Sequence, residues 1–238
     1  MLLNWAQSYT FFWIYASFCV ILHDFIGKMV HLVDYIEAHS SPESAALEQI
    51  TRDTYRHVLN PHMLSGHVQG RVLSMLSKMI RPTRILELGT YTGYSALCLA
   101  EGLTEEGHLI SVERNDELED RIIHNLSLSE LGHKIEVRFG AAEQIIPALD
   151  GHQFDLVFID ADKRDYCTYL DLVYSRVREG GWILADNTLW DGHIIDAAYD
   201  KDAQTLGLRA FNDRVANDPR LEKVILPLRD GLTIIHKL

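Results

Sequence analysis

Apolar residues along the chain fall into three patterns. From Leu2 to Leu22 no residue is charged, and Phe11, Phe12, Trp13, Ile14, Phe18 and Ile21 make the stretch rich in large side chains. After it, apolar positions recur at helical spacing: Leu47, Ile50, Tyr55 and Val58, then Val68, Val72, Leu76, Met79 and Ile80. This predicts two helices, the first capped at Ser41-Pro42-Glu43 and stopped by Asn60-Pro61, the second ended by Arg81-Pro82. The third pattern is short apolar runs, Ile85–Leu88, His108–Val112, Ile135–Phe139, Asp155–Ile159 and Trp182–Ala185. They alternate with helical stripes such as Leu118, Ile122, Leu126 and Tyr166, Leu170, Val173, Val177. Alternating strand and helix predicts an α/β doubly wound fold, a parallel sheet covered on both faces. The order changes at the end, where Val224–Leu228 and Leu232–His236 flank Arg229-Asp230-Gly231 and predict an antiparallel hairpin.

The first pattern admits three readings. It is near the lower length limit for a membrane span, it contains Asn4, Gln7 and Ser8, and no Lys or Arg precedes it. The expectation is a helix packed on the domain or on a second subunit, with an upstream extension before a natural start at Met29 and a membrane anchor as the alternatives. Residues 1–28 are thus an apolar extension and residues 29–238 one domain.

Composition narrows the function. With 238 residues, 47% of them hydrophobic, the chain holds one full core. A net charge of -12 disfavours nucleic acid as a partner. Cys19, Cys98 and Cys167 form no C-x-x-C pair, which suits a reducing cytoplasm. His57, His62 and His67 do not follow zinc-ligand spacing.

The chemistry gathers at strand ends. Asp160 follows the run ending at Ile159, and Asp186-Asn187 follows the run ending at Ala185. Each alone reads as an ordinary turn former. Together they put two carboxylates and an amide at the carboxyl ends of strands, where they suit one hard divalent cation, with Lys163 in the same loop. The Gly-rich loop from Glu87 to Ser95 follows the first strand and opens a helix, the place where this fold class holds a nucleoside cofactor. Glu87, Glu113, Glu143 and Asp160 around it would repel a diphosphate, so S-adenosylmethionine fits better than NAD. Glu113, ending the second strand, suits the ribose hydroxyls.

Four motifs resemble those of the cation-dependent class I O-methyltransferases: Glu87 to Ser95, Gly140 to Glu143, Val157 to Lys163, and Asp186 to Trp190. That group includes the catechol and caffeoyl-CoA O-methyltransferases, and the likeness runs from about Ser41 to the C-terminus, not over residues 1–28. It implies a Rossmann-like seven-stranded sheet, mostly parallel with the C-terminal antiparallel hairpin, and a homodimer. By the same resemblance Asp160, Asp186 and Asn187 bind Mg²⁺, Ca²⁺ or Mn²⁺, and Lys163 is the general base beside Asp160. Glu113 holds the ribose, Gly89, Tyr91 and Ser95 take the methionine end of S-adenosylmethionine, and Glu87 and Asp160 also count among the cofactor-binding residues. Ala142 and Glu143 take the adenine, and Met63 closes over the site. The family's Ala-Asp-Lys-Asp here reads Ala161-Asp162-Lys163-Arg164, which alters the charge beside the lysine.

The implied reaction is methyl transfer to a small catechol-type acceptor in a dry site, with Trp190 and Tyr166 as candidate walls and residues 191–206 as a candidate recognition loop. Arg209, Arg214 and Arg220 are scattered candidates for a CoA ester. The rivals are a non-catalytic module that binds S-adenosylmethionine and a nicotinamide-dependent oxidoreductase.

Overall fold

The computed structural model describes residues 31–149, 151 and 153–238. Seven runs become strands: β1 (Arg84–Leu88), β2 (His108–Glu113), β3 (Ile135–Phe139), β4 (Phe154–Ile159), β5 (Val177–Ala185), β6 (Leu221–Leu226) and β7 (Leu232–Lys237). They form one sheet in the order β3-β2-β1-β4-β5-β7-β6. β1 to β5 are parallel, β7 lies antiparallel to β5, and β6 antiparallel to β7. The order reverses between β1 and β4, so the loops leaving those two strands border the crevice where open α/β sheets take ligands.

Side chains along the central strands alternate between two cores as the pleat requires. Leu86, Leu88, Val157, Ile159, Ile183 and Ala185 face one core. That core is closed by α6 (Tyr166–Tyr174) and α7 (Ala203–Asn217), through Tyr166, Leu170, Val173, Leu208 and Phe211. Ile85, Leu156, Phe158 and Leu184 face the other core. It is covered by α1 (Ala45–His57), α2 (Gly66–Ile80), α3 (Tyr94–Ala100) and α4 (Glu119–Ser127). The short α5 (Ala142–Ile145) follows β3. Because both faces are covered, the inner strands β1 and β4 read as nearly continuous apolar runs, whereas the edge strand β3 alternates apolar and charged residues.

Several expectations shift in register. The cap of α1 is Ser44, not Ser41: its Oγ accepts from Leu47 N at 3.3 Å, which turns Leu47 and Ile50 inward. On α2 the buried face is Gln69, Gly70, Leu73, Ser74 and Ser77, whereas Met75 and Met79 are exposed. The apolar stripe expected there is displaced because small residues let α2 pack closely on α3. Val177 opens β5 rather than closing α6, since Gly180 and Gly181 disguise the start of a strand. β6 begins and ends earlier than expected because Pro227 has no N–H for the ladder.

Glu43–Leu238 forms one compact unit. Of the unit before it, residues 31–38 are helical. The expectations placed on residues 1–28, Cys19 included, lie outside the described residues. Among the described residues no helix is long and apolar enough to cross a membrane.

Candidate active site

At the end of β1 the chain turns through Gly89, at φ 96°, a backbone conformation open to glycine. A Cβ there would lie 2.0 Å from the carbonyl oxygen of Asp160. The loops after β1 and β4 therefore touch at a point where only a glycine fits. Glu113, at the end of β2, holds the Gly-rich loop from the other side. Its Oε2 accepts from Thr90 N at 3.1 Å and Tyr91 N at 2.7 Å, and its Oε1 from Asn115 N at 2.8 Å.

Beneath the loop Glu87 is fully buried. Ser95 Oγ donates to its Oε1 at 2.6 Å and Ser111 Oγ donates to its Oε2. Burial pushes the Glu87 carboxyl up from an ordinary 4.5 to about 8, against the pull of those two hydroxyls. At neutral pH it is mostly protonated and adds little negative field. The charge argument made for Glu87 from the sequence does not hold, and neither Glu87 nor Ser95 lines the cleft. Both carry the loop from below.

Asp160 and Lys163 follow β4. Lys163 Nζ donates to Asp160 Oδ1 at 2.7 Å and lies 5.4 Å from the Tyr166 ring centroid and 6.0 Å from that of Trp190. Burial pulls against the charge of the lysine. The Asp160 carboxylate outweighs it and holds the ammonium well above the usual lysine range. The turn carrying Lys163 is fixed by α7, where a Cβ on Gly207 would meet Lys163 O at 2.4 Å. Arg164, the departure from the family pattern, is exposed and pairs with Asp162, so its charge is spent beside the site.

Asp186 and Asn187 follow β5. Asp186 is 2% exposed, and burial first, then the Asp160 charge, raises its carboxyl to about 7. Gln69 Nε2 donates to its Oδ2 at 2.6 Å and Asn187 N to its Oδ1 at 2.8 Å. Asn187 itself sits at φ 56°, and its Nδ2 points to Asp230 Oδ2 at 3.4 Å, so its amide oxygen is the end left for a ligand. Two crowded carboxylates beside a free amide oxygen, in a strongly acidic chain, are the oxygen donor set a hard cation takes. Among the described residues no group of three or more His, Cys, Asp or Glu gathers as a metal site. The fit rests on the amide as third donor.

These loops open on one cleft of about 1100 Å³. Met63, Gly89, Tyr91, Glu113, Ala142, Glu143, Asp160, Lys163, Asp186 and Asn187 line it. Trp190 lines it too, but Tyr166 is a core residue that donates its hydroxyl to Asp186 O at 2.9 Å. His57 and His62 reach the rim while His67 does not.

The expected recognition segment is more ordered than a solvated loop. It forms 3-10 turns at Trp190–Ile195 and Ala197–Tyr199, and residues 203–206 already belong to α7. Arg209 pins it, donating to Ile194 O at 2.8 Å, Asp196 O at 2.8 Å and His193 O at 3.1 Å. Arg209, Arg214 and Arg220 pair with Asp200, Asp171 and Asp218, so they make no basic patch for a CoA ester. Sequence reasoning missed Gln69, Arg229 and Asp230. A polar residue in helical phase with Leu73 and Leu76 was the available signal for Gln69.

A Gly-rich loop after β1 and the oxygen donors Asp160, Asp186 and Asn187 thus meet at the switch point of one doubly wound sheet. The sequence profile of the O-methyltransferase family matches residues 37–238, and the chain belongs to that family. It is 33% identical to a caffeoyl-CoA O-methyltransferase of Medicago sativa, over 82% of this chain and 83% of that one. To caffeoyl-CoA O-methyltransferase 2 of Zea mays it is 34% identical, over 82% and 78%. The O-methyltransferase of Bacillus cereus in complex with SAH superposes with a TM-score of 0.80 at 28% identity, over 86% and 96% of the two chains. The O-methyltransferase TomG of Streptomyces achromogenes, in complex with SAM, does so at 0.79 and 27%, over 85% and 94%.

Proposed function

We propose that this O-methyltransferase moves the methyl group of S-adenosylmethionine to one hydroxyl of a small catechol-type aromatic, with a divalent cation, Mg²⁺ or a similar ion, held by Asp160, Asp186 and Asn187. The observation that carries the reading is the convergence of those three oxygen donors, Lys163 and the Gly89 loop on one cleft. The cofactor supplies an already activated methyl, and the cation would lower the pKa of a hydroxyl chelated beside it.

The remaining work falls to the chain. Glu113, oriented by the loop amides it accepts, offers its outer lone pairs to the ribose. Met63, exposed in the turn Pro61–Met63, and Trp190 at the opposite wall narrow the space around the acceptor and exclude water. The proton leaving the hydroxyl goes to Lys163 Nζ. At rest that nitrogen is an ammonium bound to Asp160; once the Asp160 charge is engaged elsewhere, burial lowers its hold on the proton and Lys163 becomes a base. A module that only binds S-adenosylmethionine has no use for this arrangement, and an oxidoreductase has no use for the Asp186-Asn187 pair. The family resemblance extends the proposal to a homodimer, and the three cysteines without a C-x-x-C pair extend it to a reducing cytoplasm.

The test is methylation of catechol with Mg²⁺, with excess EDTA, and in Asp186→Ala. Turnover should vanish in the last two while S-adenosylmethionine still binds, because Asp186 follows β5 and the cofactor loop follows β1. Full turnover in EDTA would refute the cation.

A further inference from the structure

Asp186 is approached from behind by Gln69. This side chain is 1% exposed on α2, and its Nε2 donates to Asp186 Oδ2 at 2.6 Å. With Asn187 N on Oδ1, each carboxylate oxygen has a protein donor behind it and lone-pair capacity left in front.

An amide has a donor end and an acceptor end, and Arg229 selects between them. A guanidinium only donates, and Arg229 Nη1 lies 3.3 Å from Gln69 Oε1, so the NH₂ of Gln69 must face Asp186. Arg229 is itself anchored, donating to the carbonyls of Leu64 at 2.9 Å, His62 at 3.1 Å and Ser65. The next residue, Asp230, takes the nitrogen end of the Asn187 amide. One dipeptide at the tip of the C-terminal hairpin thus orients two of the three oxygen donors.

We propose that Gln69, oriented by Arg229, is a positioning residue that aims the Asp186 carboxylate at a hard divalent cation. The proposal rests on the reading of Asp160, Asp186 and Asn187 as cation ligands. A buried carboxylate needs donors in any case, so the distinguishing quantity is cation affinity rather than stability.

The experiment measures Mn²⁺ binding to the full chain by the electron spin resonance of free Mn²⁺, with S-adenosylmethionine binding by calorimetry alongside. Gln69→Met keeps the volume and loses the donor. It should weaken Mn²⁺ binding about 10- to 100-fold, the range for losing a partner of a metal ligand, and leave cofactor affinity unchanged. Arg229→Met should weaken Mn²⁺ in the same direction by less. Ser77→Ala removes another buried hydrogen bond of α2, to Leu99 O at 2.6 Å, and should lower the melting temperature without touching Mn²⁺ affinity. An unchanged Mn²⁺ affinity in folded Gln69→Met, with the wild type binding, overturns the proposal and leaves the ligand reading standing. An equal loss in Ser77→Ala overturns it too. Failure of the wild type to bind Mn²⁺ at all overturns the ligand reading itself. If Gln69→Met does not fold, Gln69→Asn, one methylene short, carries the same expectation.

Discussion

Glu87→Gln separates the buried acid under the Gly-rich loop from every other titrating group. The glutamine keeps the shape: its amide oxygen accepts from one serine hydroxyl and its NH₂ donates to the other, which turns to accept, so Ser95 and Ser111 retain partners. In the wild type the folded carboxyl titrates near 8 and the unfolded one near 4.5. Between those values the native state keeps a proton that the unfolded chain releases. The unfolded state binds fewer protons, so stability falls as pH rises, by about 1.4 kcal/mol per pH unit, until the native group ionises near 8. Glutamine has no such slope. From pH 5.5 to 7.5 the variant should therefore gain about 2.7 kcal/mol on the wild type, or roughly 5 to 10 °C in melting temperature for a domain of this size. The assay is urea unfolding of both chains at several pH values across that window, reading only the difference, in which shared groups cancel. A difference that stays flat with pH would show that Glu87 is ionised in the native state and would refute the reasoning.

Glu113→Gln loses the charged acceptor at the cofactor loop, and calorimetry should find S-adenosylmethionine affinity lower by about 1.5 to 3 kcal/mol; an unchanged constant counts against the ribose assignment. Gly89→Ala forces a methyl against the Asp160 carbonyl and strains the backbone, so unfolding measurements should show a loss of about 2 to 4 kcal/mol. A chain beginning at Met29 should fold by circular dichroism and methylate catechol, because every candidate site residue lies after it. Inactivity of that folded chain would give residues 1–28 a catalytic role.

What was legible in the sequence follows from how locally each feature is determined. β1 and β4 were readable because burial on both faces leaves nearly continuous apolar runs, β3 because its apolar and charged residues alternate at the sheet edge, and the loop residues after them were found by position alone. The start of β5 was hidden by Gly180-Gly181. The packed face of α2 was hidden because its closeness to α3 selects small and polar residues over large apolar ones. At the site, Asp160, Asp186, Asn187, Gly89 and Glu113 announce themselves at strand ends. The protonation of Glu87 depends on burial that no neighbouring residue in the chain reveals. Gln69 and Arg229 meet only because α2 and the β6–β7 turn come together in three dimensions. The arginines considered for a CoA ester failed for a similar reason: each has an acid waiting in the fold.

The place of β7 in the sheet bears on how the protein is made. β7 leaves the ribosome after the other six strands of this sheet, yet it lies inside it, between β5 and β6. Until residues 232–237 emerge, β5 is a bare edge whose apolar face has no neighbour on that side, and edges of that kind invite pairing with other chains. The same delay holds Asp186 and Asn187 back, since Arg229 and Asp230 arrive with the same hairpin. The nascent polypeptide can therefore complete its Gly-rich loop early, while the Asp186-Asn187 turn gains its supports only after the β6–β7 hairpin has emerged. A small lesion at the far C-terminus, remote from every motif, should act both as a misfolding mutation and as an active-site mutation.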